Sequence, residues 1–139
     1  DIDGVLVGPP GVWALEIKTY AGEYRNFGEH WQYRAGNRWK PLDESPSHQA
    51  RDSAVRLADF LRAGGIRQWV EPTVIWAAND GDLSIEHATV AVWTLEQLPD
   101  ELGNLQQGRK MDEETERAIV EKLTALCQRQ RDEDTGIWS

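Results

Sequence analysis

Apolar and polar positions alternate at the start of the chain in two short runs. The first is Asp1-Ile2-Asp3-Gly4-Val5-Leu6-Val7, and the second runs Val12-Trp13-Ala14-Leu15-Glu16-Ile17-Lys18-Thr19-Tyr20. Gly8-Pro9-Pro10-Gly11 lies between them. Successive side chains of a strand point to opposite faces. Val12, Ala14, Glu16 and Lys18 therefore share one face, and Trp13, Leu15 and Ile17 the other. An even-length turn with Val7 opposite Val12 puts Asp3 opposite Glu16 and Asp1 opposite Lys18; a bulge would shift that register.

From Glu23 to Leu42 aromatic and polar residues alternate, with Gly28 and Gly36 as turn signals. This predicts two or three short strands that extend the sheet. At Ser45-Pro46-Ser47 the period changes. Ser45 is an N-cap, Pro46 suits the first helical position, and Gly64-Gly65 ends the helix after about Ala63. Ala50, Ala54, Leu57, Ala58 and Leu61 form its apolar stripe. Glu71 to Ala78 is a near-continuous apolar run, as in a strand covered on both faces. Asn79-Asp80-Gly81-Asp82 reads as a turn, Thr89 to Trp93 as a strand, and Leu95 to Leu102 as a short helix interrupted by Pro99. Asp112 starts a last helix with Glu113, Glu114 and Glu116 near its positive end, and with Ile119, Leu123, Leu126 and Cys127 as its buried stripe. Strands, helix, strands and helices in that order predict a mixed α/β sheet with helices on its faces.

A chain of 139 residues is one domain by length. Several of its seven tryptophans are expected to fill the core and the sheet faces. The lone Cys127 excludes a disulfide framework and a four-thiolate metal site, and His30, His48 and His87 lack ligand spacing. There is no apolar run long enough to span a bilayer and no basic-plus-apolar leader, so the expectation is a cytoplasmic protein without a membrane partner. The chain opens inside a strand pattern, as would a domain taken from a longer polypeptide. The net charge of −9 opposes a nucleic-acid partner, but its distribution changes that picture. Residues 1–70 carry nine Lys/Arg and nine Asp/Glu, whereas residues 71–139 carry six and fifteen. Arg25, Arg34, Arg38, Lys40, Arg51 and Arg56 all lie in the neutral half. Arg25, Arg34 and Arg38 interleave with aromatics, which suits either a surface that grips a nucleic-acid backbone or ordinary cross-strand pairing.

The candidate chemistry is on the hairpin. Two carboxylates facing each other across a ladder repel. A divalent cation, a shared proton or an ammonium offsets that repulsion, and Lys18 is on the same face. All-oxygen ligands favour a hard cation such as Mg²⁺. A metal with a lysine can activate water and stabilise charge on a phosphate in flight. A half-exposed hairpin with a solvated polar face would show the same spacing.

Taken together, Asp1-Ile2-Asp3, the run from Gly11 to Gly22 with Glu16-Ile17-Lys18 inside it, and Ser45-Pro46-Ser47-His48-Gln49 resemble the nuclease-related domain, NERD, of the PD-(D/E)xK nuclease-like superfamily. The resemblance covers about residues 1–95, leaving 96–139 as an acidic helical part. It implies a restriction-endonuclease-like mixed four-stranded sheet flanked by helices, and Mg²⁺- or Mn²⁺-dependent hydrolysis of phosphodiester bonds, in DNA above all. It implies Asp3 and Glu16 as metal ligands with the main-chain carbonyl of Ile17, Lys18 as the residue that positions or activates water, Gln49 as an orienting group, and Asp1 as an accessory acid. The superfamily's helix before the first strand has no counterpart in this sequence. Helicase-like or kinase-like domains are the fused or partner domains that the resemblance suggests. A non-cleaving nucleic-acid binding module of the same fold is the main alternative, and a tryptophan-based carbohydrate-binding module is a third.

Overall fold

A computed structural model describes residues 2–77, 82–105 and 111–135, with residues 134 and 135 as backbone only. Strands β1 (Gly4–Gly8) and β2 (Gly11–Lys18) form the opening hairpin. Val7 pairs with Val12 and Gly8 with Gly11, so only Pro9 and Pro10 turn the chain. The register is the expected one, because a two-residue turn leaves no room for a bulge. The pairing of Asp1 with Lys18 falls outside the described residues.

The first sheet has the order β1-β2-β6-β8, with β6 at Val70–Trp76 and β8 at Ala91–Thr94. β1 runs antiparallel to β2, while β6 and β8 are parallel to it. This is the mixed four-stranded sheet of a restriction-endonuclease-like fold. Helix α1 (Pro46–Ala63) lies on one face. Its Ala54, Leu57 and Leu61 pack against Val12, Ala14 and Val70, with Met111 and Ile119 closing the cluster. The other face buries Trp13, Ile75 and Trp93 beneath Leu98 and Leu105 of α2 (Leu98–Leu105). β6 is thus covered on both sides, and its Val74, Ile75 and Trp76 are all buried.

The strands between Glu23 and Leu42 do not extend this sheet. β3 (Tyr24–Phe27), β4 (His30–Ala35) and β5 (Arg38–Pro41) form a second one, in the order β5-β4-β3-β7. Its fourth strand, β7 (Leu83–Glu86), pairs parallel to β3. Gly22 explains the departure: at φ 104 it takes a conformation that favours glycine, and the chain turns there between the two sheets. The inner face of the second sheet reaches the first through aromatics. Trp31 stacks on Trp76 with ring centres 5.6 Å apart, and Tyr24 meets Trp76 edge-on at 5.1 Å. Ala50, Val74 and Val90 complete that cluster.

The last helix, α3 (Glu113–Thr135), departs from its expected stripe. Ile119 is fully buried and Leu123 packs on the core, but Cys127 is exposed. Leu126 is only half-buried, so the burial of the stripe fades toward the C-terminal half of the helix. Four tryptophans, Trp13, Trp31, Trp76 and Trp93, are buried as expected, whereas Trp69 is exposed.

Candidate active site

Glu16 and Lys18 are two residues apart at the end of β2, on the face that α1 covers. Lys18 Nζ lies 3.2 Å from Glu16 Oε1, and both side chains are largely withdrawn from solvent. The same ammonium sits 5.6 Å from the centre of the Tyr20 ring. Tyr20 stacks on Tyr24 at 5.2 Å, which extends this support into the second sheet. Burial and the neighbouring Tyr20 and Tyr33 hold the Tyr24 hydroxyl above its ordinary pKa, so it stays protonated at neutral pH.

Asp3 lies one residue before β1, just beyond the last ladder pair, Gly4–Leu15. Its Oδ2 accepts a hydrogen bond from the Ile17 N–H at 2.9 Å, across 14 residues of sequence. The main chain at Ile17 therefore fixes the position of this carboxylate, as the hairpin register requires.

Gln49 comes from the first turn of α1. The Ser45 side chain caps that helix by accepting from the His48 N–H at 3.2 Å, and Pro46 opens it. Trp31 Nε1 donates to Ser47 Oγ at 2.8 Å and so ties the helix start to β4. With its start pinned, α1 turns Gln49 into a cleft of about 520 Å³ that Glu16 also lines. Gln49 Nε2 donates to Glu44, while its Oε1 is buried and has no hydrogen-bond partner among the described residues. Ser53 Oγ, one turn further on, is buried in the same condition.

Sequence reasoning missed Asp52 and Ser53 as cleft residues and named Arg56 only as one of several cations; all three line the cleft with Gln49. They follow Gln49 at i+3, i+4 and i+7, so the helical period from Gln49 was the signal that marked them. Asp3 lines a neighbouring groove instead, and Arg56 borders both. The cleft is acid-rich: Asp43, Glu44 and Asp52 join Glu16 around Arg56 and His48. Among the described residues no group of three or more His, Cys, Asp or Glu side chains is placed to hold a metal ion. A cation here would draw on Asp3 and Glu16, with main-chain, amide or water oxygens for the remainder. That all-oxygen set suits Mg²⁺ or Mn²⁺, since Mg²⁺ takes one or two carboxylates and keeps several waters.

The expected nucleic-acid-binding residues separate. Arg25 and Arg34 lie on the outer face of the second sheet, over the Trp39 ring at 4.2 and 5.7 Å. Arg38 and Lys40 are exposed on β5, the edge strand, and alternate with Trp39 toward the opposite face. Arg51 belongs to α1 and is held by both carboxylate oxygens of Glu29. Asp1 lies outside the described residues.

The fold is a mixed sheet flanked by helices, and the domain belongs to the PD-(D/E)xK nuclease-like group. The family model of the nuclease-related domain matches residues 1–77, more than half of the chain, and the chain belongs to that family. The matched span takes in the hairpin, the start of α1 and β6. No curated protein and no solved structure gives a significant match. Among the described residues no helix is long and apolar enough to cross a membrane.

Proposed function

We propose that this domain is a metal-dependent nuclease that hydrolyses phosphodiester bonds in DNA, with Asp3, Glu16, Lys18 and Gln49 as its working residues. The observation that carries this reading is the Glu16–Lys18 pair. Glu16 is only 8% exposed, and its partner is nearly as enclosed. Burying an ion pair is weak support for a fold, because well-packed apolar residues stabilise as well or better. Glu16 lines a cleft with Gln49, whose buried amide oxygen has no hydrogen-bond partner among the described residues, so chemistry is the better account of the pair.

Each residue then has a defined task. Glu16 and Asp3 supply carboxylate oxygens for the cation, and the Ile17 carbonyl is the main-chain ligand that the family pattern adds. A bound Mg²⁺ or Mn²⁺ supplies Lewis-acid polarisation of the phosphate and a more acidic water. Lys18 presents positive charge where negative charge develops on the phosphate, already oriented by Glu16 and Tyr20. Gln49 Oε1 accepts a hydrogen bond from the attacking water, which limits the directions it can approach from. The other carboxylates of the cleft make the divalent cation necessary in a second way: without it, a phosphodiester meets uncompensated negative charge.

The test is cleavage of labelled single- and double-stranded DNA with Mg²⁺, Mn²⁺ or EDTA, by the wild type, Lys18→Ala and Glu16→Gln. Cutting is expected to require metal and to fall by about 100-fold or more in either variant, the usual loss when a group that stabilises the transition state is removed. Retained melting transitions would show that the fold survives. Wild-type rates in both variants would overturn this site, and metal-independent cutting would overturn the mechanism.

A further inference from the structure

The second sheet has one face turned away from the body, and it is not an ordinary polar face. Cross-strand partners Phe27 and His30, Arg25 and Gln32, and Arg34 and Trp39 all lie on it. Phe27 is 57% exposed, an unusual state for a phenylalanine in a strand. Its ring meets that of His87 edge-on at 5.4 Å, and His87 is the one non-glycine among the described residues with positive φ, at 54°. Beside Phe27 lies a pocket of about 330 Å³, with Arg25, His30, Gln32, Ser84 and Glu86 among its walls. Arg25 Nε donates to Gln32 Oε1 at 2.7 Å while its guanidinium carbon lies over the Trp39 ring, 4.2 Å from its centre.

We infer that this face binds an unpaired base of a single-stranded nucleic acid, with Phe27 and Arg25 as the stacking walls. Three properties of the pocket fit that ligand. It offers a π-face and a guanidinium plane, the two surfaces on which bases stack. It offers donors and acceptors from His30, Ser84 and Glu86 at its rim, suited to a base edge. It also lies in the most basic segment of an acidic chain: residues 24–41 hold Arg25, Arg34, Arg38 and Lys40 against Glu29 alone, and Glu29 is taken by Arg51. Arg34, on the same face, is placed for a phosphate beside a stacked base, while Arg38 and Lys40 lie on the opposite face of the edge strand and add only to the local positive charge. A duplex cannot use the pocket, because its bases present no free face. This inference rests on the reading of the domain as directed at nucleic acid, and adds to it a preference for strands with unpaired bases.

Fluorescence anisotropy of a labelled oligothymidylate and of a labelled blunt-ended two-stranded duplex, both in EDTA, measures binding without cutting. Phe27→Ala is expected to weaken the single strand about tenfold, Phe27→Trp to restore it within about twofold, and the duplex to respond to neither. Trp69→Ala, which removes an exposed aromatic elsewhere, is expected to bind as the wild type does. Undetectable single-strand binding by the wild type, unchanged binding by Phe27→Ala, or equal losses for both ligands would overturn the inference. The nuclease assay separates the two readings. Phe27-dependent binding by a wild type that cuts nothing keeps the platform and removes the nuclease. Lys18-dependent cutting with unaltered Phe27→Ala binding does the reverse.

Discussion

Glu16 and Lys18 need no tertiary fold to share a side, because their spacing on a strand places them there. What the fold adds is enclosure: α1 and the aromatic cluster cover the pair. The residue that joins these parts is Trp31. Its indole N–H is bonded to Ser47 Oγ inside the core, and both residues are buried. Trp31→Phe keeps most of the apolar packing but leaves the Ser47 hydroxyl without its donor. The expected cost is about 1–3 kcal/mol, the penalty of an unsatisfied buried polar group, measured by urea denaturation. Ser47→Ala in the same background is expected to cost less than it does in the wild type, since the partner is already gone. Such a pair was beyond sequence reading: 16 residues separate Trp31 from Ser47, and nothing in either neighbourhood marks the contact. The hairpin register was legible, because a two-residue turn fixes it and the pairs from Gly8–Gly11 to Gly4–Leu15 follow from it.

At the scale of elements, the two long helices start in similar ways. Ser45 caps α1, and Asp112 Oδ1 accepts from the Thr115 N–H at 2.7 Å at the start of α3. Ser45→Ala is expected to lower stability by about 1 kcal/mol, read as a lower urea midpoint with an unchanged slope. For Asp112, the hydrogen bonds from Thr115, backbone first and then side chain, hold the carboxyl below its usual range. A depressed folded pKa means the stabilisation is complete at neutral pH and is lost as pH falls below about 4, through the folded value. Asp112→Asn is therefore expected to flatten the acid limb of a stability-versus-pH curve while changing the neutral value less. Both caps were visible in the sequence, as were the ends of α1. The ends of α2 were not: it begins at Leu98, three residues later than expected, because Pro99 fits the first helical turn, where its missing N–H is no loss. β7 was missed altogether. Leu83-Ser84-Ile85-Glu86 has a strand's alternation, but four residues carry little signal, and its partner β3 lies about sixty residues earlier.

For the molecule as a whole, the sequence showed that short strands follow the hairpin but not which sheet they join. Alternation reports that a strand has two different faces; it does not report what covers either one. The first sheet carries the proposed chemistry and the second the outward-facing aromatics. A cation bound through Glu16 is expected to stabilise the folded state by linkage, about 2.7 kcal/mol at a hundredfold excess over its dissociation constant. Differential scanning calorimetry with and without Mg²⁺ checks this, and Glu16→Gln is expected to abolish the difference. The bond from Trp31 to Ser47 also has a rotational meaning. It sets the angular phase of α1, and with it the direction in which Gln49 points, two residues further on. One residue inserted between Ser47 and Gln49 would swing the amide by about 100° around the helix axis. Extra residues between β5 and Ser45 leave that phase untouched. The chain can therefore vary its length freely just ahead of the helix, and not at all within its first turn.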